Sequence, residues 1–264
     1  MKCIGKFLIP WASALLLVPA LAAAQVVHIS HCLAACPAGE SADNEIVVRH
    51  LFVASVNSDS GIADWVAYRV LADTVGVASL LPRFWLEDSL LASTEVNLEL
   101  ATETNIIQPD LSNAQDRDYR LNEVLIDTGD SGRLVPMSSF AGTPYWQDLN
   151  YLSNMAPMPA DLRLGSWSRL DTAVNELAAS EQQLWVLSGP LYDGAELPAA
   201  YFKIVASGDE VAAFIFPGNL AQHAHYCPQF SSMAEVERRS GLRLFPDVEV
   251  IDSPRLAQQL RCDN

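Results

Sequence analysis

Apolar residues gather along this chain in short dense runs more often than in long helical stripes. Val47, Val48, Leu51, Phe52 and Val53 mark residues 45–57 as a strand. Trp65 to Leu71 is a second run, rich in aromatic and β-branched side chains that suit a pleated surface. Leu184 to Leu191, Tyr201 to Ala206 and Val211 to Phe216 predict three more strands, the last two joined through the turn Ser207-Gly208-Asp209-Glu210. Helical spacing is rarer. Trp167, Leu170, Val174 and Leu177 recur at threes and fours, which predicts a helix over 165–180. Ser232-Met233-Ala234-Glu235 is a capping box that opens another helix, and Gly241 closes it. Residues 87–130 are polar and irregular. Strands and helices mix without regular alternation, so the expected class is α+β with a largely antiparallel sheet.

The first residues belong to another kind of segment. Lys2 and Lys6 precede an apolar run from Phe7 to Leu21, and small residues lead to Gln25. A basic start, a short hydrophobic centre and small residues before a polar one read as a secretory signal peptide. Residues 1–24 are therefore expected to be removed, leaving 25–264 as one domain in the periplasm or outside the cell, with no membrane attachment. The charge is lopsided, with 16 basic residues against 32 acidic ones and a formal net of −16. Such a chain repels phosphate backbones at long range, so nucleic acid binds only where the local charge is positive. Beyond Lys2 and Lys6 the only lysine is Lys203. Cys32, Cys36, Cys227 and Cys262 remain after the signal, an even number that favours disulfides in an exported protein but leaves three pairings open.

Asp130-Ser131-Gly132-Arg133, Ser153-Asn154-Met155-Ala156-Pro157 and Arg163-Leu164-Gly165-Ser166-Trp167 carry the strongest motif signal. Together with Trp65-Val66-Ala67-Tyr68, Arg83-Phe84-Trp85, Ser188-Gly189-Pro190-Leu191-Tyr192 and Tyr201-Phe202-Lys203-Ile204-Val205, they make the chain resemble the DNA/RNA non-specific endonucleases over nearly its whole mature length. That resemblance implies a ββα-metal (His-Me finger) core within a central, mostly antiparallel sheet flanked by helices. It also implies the pairs Cys32–Cys36 and Cys227–Cys262.

In that family the first loop reads Asp-Arg-Gly-His, the metal-binding residue is an Asn, and a Glu steadies the waters of a Mg²⁺ ion. Here Ser131 stands at the Arg position, Arg133 at the His position, Arg163 at the Asn position and Asp171 at the Glu position. Arg83 and Asn154 match positions implied to contact substrate. Phosphodiester hydrolysis needs a base for water and a cation for the developing charge. A guanidinium stays protonated and offers no lone pair, so Arg133 cannot act as base and Arg163 cannot bind Mg²⁺.

The expectation is a nuclease relative with a disabled metal centre, no bound Mg²⁺ and a remaining binding role. The ligand would be phosphate-bearing, nucleic acid included, or a protein partner. Arg163 is expected to take the metal's place by pairing with Asp171. The alternatives are an active metal-dependent endonuclease that uses Asp130 or Asp171 in a rebuilt site, and a structural or protein-interaction module.

Overall fold

The structure, a computed structural model, describes residues 28–91, 131–195 and 197–262. Its centre is an eight-stranded sheet. The strands are β1 (Glu45–Val48), β2 (Phe52–Val56), β3 (Ala63–Leu71), β6 (Gln183–Leu191), β7 (Ala200–Ser207) and β8 (Glu210–Pro217), with β9 (Phe230–Ser231) and β10 (Ile251–Asp252) both paired to β8. Every pairing in it is antiparallel except β8 with β10. A separate ribbon joins β4 (Ser131–Arg133) to β5 (Met155–Pro157). The longer helices of the described residues are α1 (Ser168–Glu181), α2 (Met233–Ser240) and α3 (Pro254–Gln259), beside the single turn Ala160–Leu162 and short 3-10 turns.

Both faces of the sheet are covered, which explains why its strands read as continuous apolar runs. Val66, Tyr68, Tyr201, Val205, Phe214 and Phe216 face one core with Leu170, Val174 and Leu177 of α1. Trp65, Ala67, Phe202, Ile204, Ala213 and Ile215 face the other, against Val236 of α2 and the Cys32–Cys36 disulfide. The two cystine bridges are Cys32–Cys36 and Cys227–Cys262. α2 opens on Ser232, whose hydroxyl accepts from the Glu235 amide, and closes on Gly241 at φ 74°, a left-handed position that suits glycine.

Two expectations need correction. The single strand expected over 45–57 is a hairpin, β1 and β2, turning at Arg49-His50-Leu51, with the Arg49 amide bonded to the Phe52 carbonyl. Arg49 and His50 are polar groups with partners elsewhere, and they break the apolar run. The helix expected from 165 begins in regular form only at Ser168. Residues Arg163–Trp167 form a wide turn in which Gly165 leaves helical geometry at φ −99°, ψ −118°. The cause is a close neighbour: a Cβ on Gly165 would lie 2.5 Å from the Gln222 carbonyl oxygen.

Candidate functional site

The β4–β5 ribbon lies over the middle of the sheet and brings the three motif segments together. Ser188 of β6 donates to the Leu134 carbonyl at 3.2 Å, and Tyr201 of β7 donates to the Pro157 carbonyl. Trp167 donates from its indole to the Arg133 carbonyl at 3.3 Å. A Cβ on Gly132 would meet Met158 Cβ at 2.9 Å and Arg163 Cδ at 3.4 Å, so the glycine lets the Arg163 stem pass close to the ribbon. Arg133, Arg163 and Trp167 therefore share one neighbourhood. Ser131 opens β4 beside them. Asp130 lies outside the described residues.

Arg133 is tied down. Its Nε donates to the Leu149 carbonyl at 3.2 Å, and its Nη2 donates to Asn150 Oδ1 at 2.6 Å and the Phe84 carbonyl at 3.3 Å. The guanidinium also stands 4.3 Å from the centre of the Trp85 ring, at cation–π distance. At the family's His position there is thus a fixed cation that fastens the 84–86 segment to the turn Trp146–Asn150.

Asp171 corrects the expected pairing with Arg163. Its partner is Lys203, whose ammonium donates to Asp171 Oδ1. Lys203 has no exposed side-chain surface and stands 3.8 Å from the centre of the Trp167 ring. Burial pushes the Asp171 carboxyl up and the Lys203 ammonium down, and each opposes the other's shift. The sequence marks Lys203 as the only lysine beyond Lys6 and as part of a motif, but not as the partner of Asp171, although the signal was there. It alternates with Tyr201 and Val205, both core residues of the same face, so its side chain had to enter the core.

Asn154 is fully buried, and all its amide bonds are internal. Its Oδ1 accepts from the Val135 amide at 2.8 Å, and its Nδ2 donates to the carbonyls of Val135 at 3.1 Å and Leu149 at 3.0 Å. It holds the ribbon to the preceding turn rather than presenting a group to a ligand. Arg83 is half-buried on the segment that carries Trp85. That segment is anchored by buried Asp88, which bonds Arg49 and the Ser153 hydroxyl. Asn150 and the Arg49–Asp88 pair were not singled out from sequence, since their roles depend on contacts across long separations.

His28 and His31 have ordinary partners. His28 Nδ1 is 3.2 Å from the Ala34 carbonyl and His31 Nε2 is 3.0 Å from the Arg49 carbonyl, beside a closed disulfide. His223 and His225 sit exposed in the loop that crosses Gly165, held there by Ser166 and Arg169, which both donate to the Ala224 carbonyl. Among the described residues no group of three or more His, Cys, Asp or Glu side chains converges as a metal site.

Residues 33–250 match the family model described as DNA/RNA non-specific endonuclease. The chain is 32% identical over 250 residues to the nuclease of Serratia marcescens, spanning 88% of this chain and 86% of that protein. Mitochondrial nuclease EXOG of Danio rerio is 27% identical over 126 residues, 38% of this chain and 37% of the relative. Among solved structures, the crystal structure of the EndoG/EndoGI complex, concerned with the mechanism of EndoG inhibition, superposes with a TM-score of 0.54 at 18% identity. It covers 77% of this chain and 86% of that one, a likeness of fold.

Proposed function

Because the chain belongs to the DNA/RNA non-specific endonuclease family, we propose that it is an exported relative in which metal-dependent phosphodiester cleavage is impaired and a phosphate-binding groove remains. The buried Lys203–Asp171 pair carries the reading. The carboxylate expected to steady a metal's waters is already neutralised by an internal ammonium. Lys203 puts fixed positive charge against it, where a divalent cation would be repelled.

The residues present do not fit a hydrated Mg²⁺. Arg163 has no lone pair to offer, and Arg133 can neither take a proton from water nor leave its carbonyl partners without cost. What the arrangement can do is hold an anion. Guanidinium groups fork onto phosphate oxygens; the Arg133 guanidinium lies over Trp85, and half-buried Arg83 stands two residues before that tryptophan. Two disulfides support export, since such bonds persist in oxidising compartments.

The deciding experiment incubates purified protein with DNA and RNA, with and without Mg²⁺ or Mn²⁺, and in parallel titrates inorganic phosphate and a short oligonucleotide by calorimetry. Binding without metal-stimulated cleavage is expected. Turnover by the unmodified protein that a chelator abolishes would overturn the impaired-enzyme reading.

A further inference from the structure

At the turn that Arg133 grips stands a pair that the family motifs do not include. His50, at the tip of the β1–β2 hairpin, places its Nδ1 2.9 Å from Asp148 Oδ2, and its backbone amide donates to the same oxygen at 3.0 Å. The imidazole lies flat on the Tyr145 ring, with centroids 4.4 Å apart and planes 9° from parallel. The imidazole side chain is 64% exposed, whereas the Asp148 carboxylate is only 14% exposed.

Chemistry fixes the tautomer. An ionised carboxylate only accepts, so the Nδ1 nitrogen carries the hydrogen and Nε2 keeps its lone pair. A half-sheltered acid that orients an exposed imidazole, with the basic nitrogen at the far side of the ring, is the arrangement of a general base and its orienting group.

Placement links the pair to the groove. Asp148 is followed by Leu149 and Asn150, the two residues that Arg133 grips. Two residues span at most about 7 Å of backbone. Arg49, the neighbour of His50, stands 3.6 Å from the centre of the Tyr151 ring and pairs with buried Asp88. The segments around this turn carry three ring contacts: His50 with Tyr145, Arg49 with Tyr151, and Arg133 with Trp85, with the Arg49 charge already met by buried Asp88. Aromatic rings beside the fixed charge of Arg133 suit single-stranded nucleic acid, whose bases stack while its phosphates meet a cation.

We infer that His50 and Asp148 form a proton-transfer dyad through which the protein cleaves single-stranded RNA without a metal. The inference rests on the phosphate-binding reading of the groove. With a phosphate held near Arg133, His50 Nε2 takes the proton of the neighbouring ribose 2′-hydroxyl. The 2′-oxygen forms a bond to phosphorus and the bond from phosphorus to the 5′-oxygen breaks. The departing 5′-oxygen takes a proton from water, and the imidazolium returns its own proton to solvent. The products are a 2′,3′-cyclic phosphate and a free 5′-hydroxyl. Arg133 supplies fixed charge next to the phosphorane, the part a metal plays elsewhere. DNA lacks the 2′-hydroxyl and is not cut by this route.

The test uses the full mature protein in excess chelator with a single-stranded RNA, and the same oligonucleotide bearing one 2′-deoxyribose at the cut position. The expected result is slow cleavage that yields 2′,3′-cyclic phosphate ends and stops at the deoxy position. His50→Gln lowers the rate by about 10²–10⁴-fold, the range for loss of a general base, while His28→Gln, exposed beside Asp247 near the Cys32–Cys36 bridge, leaves it unchanged. Asp148→Asn also lowers the rate, with a melting temperature within the range of the unmodified protein. RNA that binds and stays intact overturns this inference and leaves the phosphate-binding reading standing. RNA and inorganic phosphate that do not bind at all overturn both. Cleavage that persists in His50→Gln overturns the dyad.

Discussion

Lys203 and Asp171 meet inside the protein, one from the centre of the sheet and one from the first turns of α1, with the Trp167 ring against the ammonium. The pair joins the sheet to α1. Its neighbours are aromatic: Trp167 packs edge-to-face with Tyr201 and Phe216. An unpaired charge in that setting has no water to turn to, whereas two apolar side chains of similar size would fill the same space.

Lys203→Met is therefore expected to destabilise the fold by roughly 3–5 kcal/mol, as breaking a buried pair on one side leaves the other charge stranded. Combining it with Asp171→Leu recovers most of that loss, because no charge then remains buried. Chemical denaturation of the two single variants and the double variant measures the coupling. Equal, additive losses would show that the residues do not act as a pair.

Gly165 gives a second, independent test of how the groove is built. A Cβ there meets the Gln222 carbonyl oxygen at 2.5 Å and the Gln222 Cα at 3.0 Å. Neither is the flexible end of a side chain. Gly165→Ala must push the 218–226 loop away from the Arg163 turn, at a cost of about 1–3 kcal/mol. Faster proteolysis within that loop, together with a lower denaturation midpoint, is the expected outcome. An unchanged midpoint would mean that the loop rests only lightly on the turn.

Much of this architecture was legible in the residue pattern, for physical reasons. Strands β3, β6, β7 and β8 are buried on both faces, so their apolar runs were dense enough to mark them. α2 announced itself through Ser232 and Gly241, whose capping roles are local. The hairpin at Arg49 and His50 was missed because its reason is remote: Asp88 holds one residue and Asp148 the other. The ribbon β4–β5 was legible as motif but not as structure, since three-residue strands leave no periodicity to read. At the site, the identities of Arg133, Arg163 and Asp171 were visible, but their partners were not. Asp171 was matched to Arg163 because the two family positions are implied to face one point, whereas the sheet supplies a cation 32 residues away.

His31 connects sequence to pH dependence. Burial holds its pKa below the ordinary imidazole value, with Arg69 adding to the effect and the hydrogen bond to the Arg49 carbonyl opposing it. The unfolded chain then binds more protons than the folded one as acid is added. Stability from this residue is fully present above the unfolded value of 6.5 and is lost as pH falls through the lower, folded value. Melting temperatures measured from pH 7.5 to pH 5, in about half-unit steps, should fall less for His31→Asn than for the unmodified protein. Identical slopes would remove His31 from the acid response.

The two disulfides divide unequally. Cys227–Cys262 closes a separation of 35 residues, and Cys32–Cys36 a separation of 4. On the chain-entropy argument the longer loop contributes about 3–4 kcal/mol and the short one about 2. The longer bridge also lies just past Tyr226, whose hydroxyl donates to the Leu260 carbonyl, and so fixes the end of the loop that crosses Gly165. Replacing Cys227 and Cys262 together by serine is expected to lower stability more than replacing Cys32 and Cys36. It should also weaken phosphate binding at the groove, because the loop that braces the Arg163 turn loses its anchor. Denaturant midpoints for the two double variants and calorimetric titration of inorganic phosphate measure both effects. A smaller loss on removing the longer bridge, or full phosphate affinity without it, would break the link drawn here between the C-terminal tail and the groove.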